Sequence, residues 1–193
     1  MLKNKTDIKN WLNKCKVKNY TINDDFTVDV EGGVNLDYKK LTHIPVQFGS
    51  VTGSFYCMHN QLITLEGCPH IVGGDFSCSR NKLTNLLGSP KTVSGNFSCY
   101  ENTLNTLQGG PRYVKANFYC FKNPIIDLND FHCEFSGTFY HTGSIIEDFS
   151  EFYIEDQLKL THKEIQNIKL NNKLNDIIKD KIETINTISK NKL

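Results

Sequence analysis

The sequence predicts an α/β-type solenoid dominated by β, with short coils, a parallel sheet on one face, an N-terminal helix cap and a C-terminal helical cap. Three observations lead there. One 21-residue pattern recurs in phase through the middle of the chain. Within each copy two inward-type residues, Phe and Cys, stand two apart, which is the period of a strand. The segments on either side lack the pattern and carry the three-and-four spacing of amphipathic helices. A fixed period near 20 residues means coils that cannot bury their apolar faces alone and stack on their neighbours.

At the N-terminus, residues 7–17 read as a helix with Thr6 as N-cap, because Ile8, Trp11, Leu12 and Cys15 share one face. Trp11, the only tryptophan, is expected to plug the open end of the first coil. Tyr20 to Val30 reads as a hairpin around Asn23-Asp24-Asp25. Val30 lies one period before Val51, so the hairpin doubles as an irregular first coil. Residues 1–31 are thus expected to form the N-terminal helix and hairpin cap.

The repeats occupy residues 32–143, about six coils. The aligned aromatics are Phe55, Phe76, Phe97, Phe118 and Phe139, with Val34 one period earlier. Cys57, Cys78, Cys99 and Cys120 follow two residues later, and Leu36 and His141 take that place in the outer coils. Then come Asn60, Asn81, Asn102 and Asn123, whose amides are suited to pairing backbone groups where the chain turns. Leucines, a Gly (Gly67, Gly88, Gly109) and a Pro (Pro69, Pro90, Pro111) shape a tight return, closed by Val72, Val93 and Val114. The unit reads G-x-F-x-C-x-x-N-x-L-x-x-L-x-G-x-P-x-x-V-x. It decays in the fifth copy, where Asp130 and His132 replace Gly and Pro, as expected near a capped end.

Residues 144–193 are expected to be a C-terminal helical cap. Phe149, Phe152 and Ile154 would close the core, and Thr161 to Glu164 has the form of a capping box. Ile165 to Ile188 then keep helical spacing, either as a cap or as a dimerisation helix.

The order aromatic-x-Cys-x-x-Asn-x-Leu resembles the leucine-rich repeat, L-x-x-L-x-L-x-x-N-x-L, over roughly residues 20 to 155. Phe76 and Cys78 take the two strand leucine positions, Asn81 the Asn position and Leu83 the Leu after it. The residue three before the aromatic is Gly, Thr, Ser or Lys where that family has an apolar one, and Val72 and its equivalents stand one place earlier. The stretch from Lys18 to Cys57, with T-V-D-V-x-G-x-V-x-L followed by L-x-x-I-P-V-x-F-G, resembles the start of leucine-rich-repeat-like proteins common in bacteriophages and some bacteria. That resemblance implies a phage-like origin, a place in the host cytoplasm and a host protein as partner, such as a defence component.

Composition narrows the function. Net charge is +1 and mean hydropathy is −0.41, with no apolar run near the roughly 20 residues that span a bilayer. Neither nucleic acid nor membrane is therefore an expected partner. Seven cysteines without a C-x-x-C pair argue against zinc, and stacked thiols on parallel strands are expected to be buried and reduced. With no apolar secretory segment at the start, this leads to a cytoplasmic expectation. No phosphate loop, H-E-x-x-H or G-x-S-x-G is present. Cys133 beside His132, with His141 near in sequence, is the one conceivable nucleophilic grouping, and it falls in a decaying coil. The chain is expected not to be an enzyme and to need no metal or cofactor.

What remains is a surface. Strand alternation places Asn35, Tyr56, Ser77, Ser98, Tyr119 and Tyr140 in one outward column. Asp37, Met58, Ser79, Tyr100, Phe121 and Thr142 form the second, and Tyr38, His59, Arg80, Glu101, Lys122 and Gly143 the third. Ser77, Ser79 and Ser98 are expected to leave a shallow trough beside Tyr56 and Met58. The expected partner-binding residues are Tyr56, Met58, His59, Arg80, Tyr100, Glu101, Tyr119, Phe121, Lys122 and Tyr140, types enriched in interfaces. Such cross-strand rings also stabilise a sheet without binding anything. The functional expectation is a non-enzymatic protein-binding module, acting as a monomer or as a dimer through the C-terminal helix. The alternatives are a small-ligand or glycan binder and a self-associating structural protein.

Overall fold

The computed structural model describes residues 1–126, 128, 131–141, 158–160 and 170. Among the described residues, the helix α1 (Lys5–Lys14) precedes fourteen strands. In chain order these are β1 (Tyr20–Ile22), β2 (Thr27–Val30), β3 (Val34–Asn35), β4 (Gln47–Val51), β5 (Phe55–Tyr56), β6 (Ile71–Val72) and β7 (Phe76–Ser77). Then follow β8 (Thr92–Val93), β9 (Phe97–Ser98), β10 (Tyr113–Val114), β11 (Phe118–Tyr119), β12 (Glu134–Phe135), β13 (Phe139–His141) and β14 (Leu158–Leu160).

The coils wind as a β-solenoid of about five turns, each giving one strand to each of two sheets. The first sheet runs β1-β2-β4-β6-β8-β10-β12 and the second β14-β13-β11-β9-β7-β5-β3. All pairings are parallel except β1 on β2 and β14 on β13, one at each end. The second sheet is the expected one, with Val34, Phe55, Phe76, Phe97, Phe118 and Phe139 in register. The first sheet corrects the expectation of a sheet on one face only. Its two-residue strands offer one outward and one inward side chain, and only the inward Val column is constant.

The core is a stack. Phe55, Phe76, Phe97, Phe118 and Phe139 lie face over face, with ring centroids 5.9, 5.2, 4.8 and 5.3 Å apart. The Cys, Leu and Val columns complete a buried interior. Where the fifth repeat loses its consensus, Phe131 takes up the space, 5.0 Å from Phe118 and 5.2 Å from Phe139. At the other end Trp11 packs on Phe48, which abuts Phe55, so α1 plugs the stack as expected.

Two side-chain ladders hold the corners. Asn81 donates from Nδ2 to the carbonyls of Cys57 and Cys78, both at 2.9 Å, while its Oδ1 accepts from the Leu62 N–H. Asn60, Asn102 and Asn123 repeat the arrangement. The opposite corner has a ladder the consensus hides, because its members differ. Ser54, Asp75, Asn96 and Asn117 each accept from the backbone N–H one coil on, at 2.7–3.2 Å. The returns need glycine: at Gly88 φ is +88°, and a Cβ would lie 2.6 Å from the Glu66 nitrogen.

Some elements differ from expectation. The helix starts at Lys5, not residue 7, because Asn4 rather than Thr6 is the N-cap; its Oδ1 accepts from the N–H groups of Thr6 and Asp7. It ends at Lys14, and Lys16 turns left-handed just after it. Residues 158–160 form a strand, not part of a helical cap. The expected core closure by Phe149, Phe152 and Ile154, the capping box at Thr161 and the helix beyond it lie outside the described residues.

All seven cysteines are free and buried. Burial pushes the thiols of Cys68, Cys78, Cys99 and Cys120 well above their ordinary range, so the reactive thiolate is scarce. Native protein should therefore resist a thiol reagent that labels every cysteine after denaturation. Mass spectrometry after timed labelling reads this, and rapid modification of Cys78 or Cys99 in folded protein would contradict the packing.

Candidate functional site

Each strand of the second sheet places one residue inward and the next outward, and the chain then turns before the Asn column. That turn puts Tyr38, His59, Arg80, Glu101 and Lys122 in the left-handed region, with φ of 56°, 52°, 58°, 53° and 53°. This conformation costs a non-glycine residue of order 1 kcal/mol. The same chain uses Gly67, Gly88 and Gly109 at its other positive-φ column.

These five residues make a continuous ladder along the sheet edge. Tyr38, 68% exposed, stacks on the His59 ring at 4.2 Å. His59 Nε2 meets an Arg80 guanidinium nitrogen at 3.2 Å. Arg80 Nε lies 2.8 Å from Glu101 Oε2, and Lys122 Nζ lies 3.0 Å from Glu101 Oε1. Lys122's ammonium, hydrogen-bonded to Glu101, holds that carboxyl below its ordinary range, and Arg80 adds to the effect.

Beside the ladder stand two ring pairs. Tyr100 and Phe121 stack at 4.6 Å with planes 5° apart, and Arg80 sits 5.9 Å over the Tyr100 ring. Tyr119 and Tyr140 stack at 4.6 Å, and Asn117 Nδ2 donates to the Tyr119 hydroxyl at 3.1 Å. Each ring is half-buried with its orientation fixed by a neighbour, so little rotamer freedom is left to lose on contact.

Of the expected binding residues, Arg80, Tyr100, Glu101, Phe121 and Lys122 thus fall into one connected group over adjacent coils, and Tyr119 and Tyr140 form a second pair on the same sheet. His59 joins it through Arg80. Tyr56 and Met58 lie on the far side of Ser77 and Ser79, half-buried. The open trough does not form. Ser79 has no exposed surface and Ser77 only 5%, and their hydroxyls are 3.3 Å apart, so no open floor is left there. Tyr38 and Asn117 were not among the expected site residues. Tyr38 stands one period before His59, and Asn117 belongs to the mixed Ser/Asp/Asn column that no consensus letter marks. Thr142 and Gly143 lie outside the described residues.

The sequence-suggested nucleophile gains nothing from its surroundings. Cys133 is buried, its thiol is directed to the Glu134 carbonyl at 3.4 Å, and burial pushes it up to about 12. A thiol so rarely ionised is a poor nucleophile. Among the described residues, no His, Cys, Asp and Glu side chains group to hold a metal ion, and no helix is long and apolar enough to cross a membrane.

His141 takes the Cys place in the last coil. It is buried against Phe139, and its Nε2 has no hydrogen-bond partner among the described residues. Burial disfavours the imidazolium and lowers its pKa to about 4, against about 6.5 in an unfolded chain. The folded state thus requires neutral His141. Its contribution is complete above about pH 6.5 and is lost as pH falls toward about 4, by roughly 3 kcal/mol in all. His141→Cys, the residue of the other coils, should flatten that part of the pH dependence. Thermal unfolding of both proteins between pH 7.5 and 4 tests this; parallel curves would show that His141 does not titrate through folding.

Compared with family models, with curated proteins and with solved structures, the chain matches none.

Proposed function

We propose that the chain is a non-enzymatic module that binds another protein through the outer face of the second sheet, centred on Tyr100, Tyr119, Phe121 and Tyr140 and rimmed by Arg80, Glu101 and Lys122. The observation that carries this is the left-handed column. Five bulky side chains in one column hold a conformation for which the return column uses Gly67, Gly88 and Gly109, and they build a charge-paired rim beside fixed aromatic pairs. A rigid apolar patch with pre-paired charges at its edge suits a protein surface, since few polar groups are stranded on contact. A glycan reading needs a trough, and the serines that would floor it are covered. The leucine-rich-repeat-like resemblance, of the kind seen in bacteriophage proteins, favours a host cytoplasmic protein as the partner, a defence component among the candidates.

The test pairs two measurements on one variant, Tyr119→Ser with Phe121→Ser, which gives coil five the serines that coil three carries. Stability should fall by about 1 kcal/mol per lost cross-strand pair. Capture of a partner from bacterial lysate should drop by roughly 2 kcal/mol or more per anchor ring. If capture is unchanged while thermal unfolding stays cooperative, the sheet face is not the site, and the returns around Pro69, Pro90 and Pro111 take its place.

A further inference from the structure

The net charge of +1 for the whole chain conceals an uneven placement. Lys91 and Arg112 are equivalent residues of successive coils, exposed at the entries to β8 and β10, about 4.8 Å apart along the solenoid. Lys115 directly follows β10, two residues after Tyr113, and is exposed. None of the three cations enters an ion pair among the described residues, whereas Arg80 and Lys122 on the second sheet both meet Glu101. The adjoining outward column carries Ile71 at 54% exposure, Thr92, Tyr113 at 39% and then Glu134, its one carboxylate. Tyr113 has no ring partner among the described residues, while Tyr100, Tyr119 and Tyr140 are already stacked.

We propose that this outer face of the first sheet, opposite the protein-binding face, binds single-stranded nucleic acid, with backbone phosphates on Lys91, Arg112 and Lys115 and a base on Tyr113. Unneutralised cations one coil apart complement a polyanion. An open ring between them adds what an unpaired base can use and what a duplex, with its bases stacked on one another, or an acidic peptide cannot. Glu134, one coil on from Tyr113, bounds the site on the coil-five side.

The probe is a fluorescein-labelled oligo(dT), followed by anisotropy with the full chain. Three phosphate contacts predict a roughly tenfold loss of affinity between about 50 and about 150 mM salt. Arg112→Glu with Lys115→Glu should lower affinity at least tenfold, and Tyr113→Ala at least fivefold, about the low end for one stacked base. Tyr119→Ser with Phe121→Ser should leave oligo(dT) binding unchanged, which separates this face from the other. All substituted residues are exposed or half-buried, and thermal unfolding checks each variant. The proposal is overturned by absence of binding at about 50 mM salt, by equal affinity for duplex DNA or polyglutamate, or by a Tyr113→Ala variant that binds as the parent does.

Discussion

Asn102→Ala is expected to lose roughly 3 kcal/mol of stability or more, although it removes only an amide. Its Nδ2 donates to the carbonyls of Cys78, Cys99 and Tyr100 at 3.1, 3.0 and 3.4 Å, and its Oδ1 accepts from Leu83 N–H at 3.1 Å. Truncation leaves the buried Leu83 N–H unpaired, at about 1–3 kcal/mol, and removes hydrogen bonds to the carbonyls of Cys78 and Cys99, which keep the donors of Asn81 and Asn123, at about 0.5–1.5 kcal/mol each. Asn102→Asp separates shape from hydrogen bonding. The carboxylate has the same outline but no donors, and it faces carbonyl oxygens, so it should be at least as damaging at neutral pH as the truncation. Asn105→Ala, at an exposed place on the same coil, should fall within about 0.5 kcal/mol of the parent. Urea unfolding reads all three, and a loss below about 1 kcal/mol for Asn102→Ala would mean that the ladder is decorative.

Phe97→Ala should cost about 3–5 kcal/mol, the range for emptying a buried aromatic site. Phe97 has no exposed surface and lies between the rings of Phe76 and Phe118, at 5.2 and 4.8 Å. Relaxation is blocked on both sides by in-register coils, so the cavity cannot collapse cheaply. Because each coil contacts only its neighbours, the gap weakens two interfaces at once. The slope of the urea transition should fall as the two halves begin to unfold separately. An unchanged slope with a small loss would show that the stack repacks.

The repeat was legible because its core positions are nearly invariant within this one chain: Phe, Cys, Asn and Val return every 21 residues. The placement of the second sheet, the buried thiols and the Asn ladder all follow from those columns. The repeat part of the first sheet was not legible, because Ile71, Thr92, Tyr113 and Glu134 share no chemistry and the strands from β6 to β12 are only two residues long. The Ser54 to Asn117 ladder was hidden likewise, since Ser, Asp and Asn all accept a hydrogen bond and so interchange. At the candidate site, alternation located the outward residues, but not the left-handed turn that aligns the rim. Nor could it show that Ser77 and Ser79 are buried.

The corner ladders also bear on how such a gene changes length. Each ladder side chain serves two coils, as Asn81 does for Cys57 and Cys78. A point between coils where the chain could be lengthened by a residue or two without breaking such a bond is therefore hard to find. Duplicating one whole repeat, by contrast, copies a corner donor, its acceptors, a return glycine and a stacked Phe together, and the reading frame survives with them. Copy number is then the easy variable in descent and coil length the frozen one. Fresh copies arrive with outward residues that the fold does not dictate.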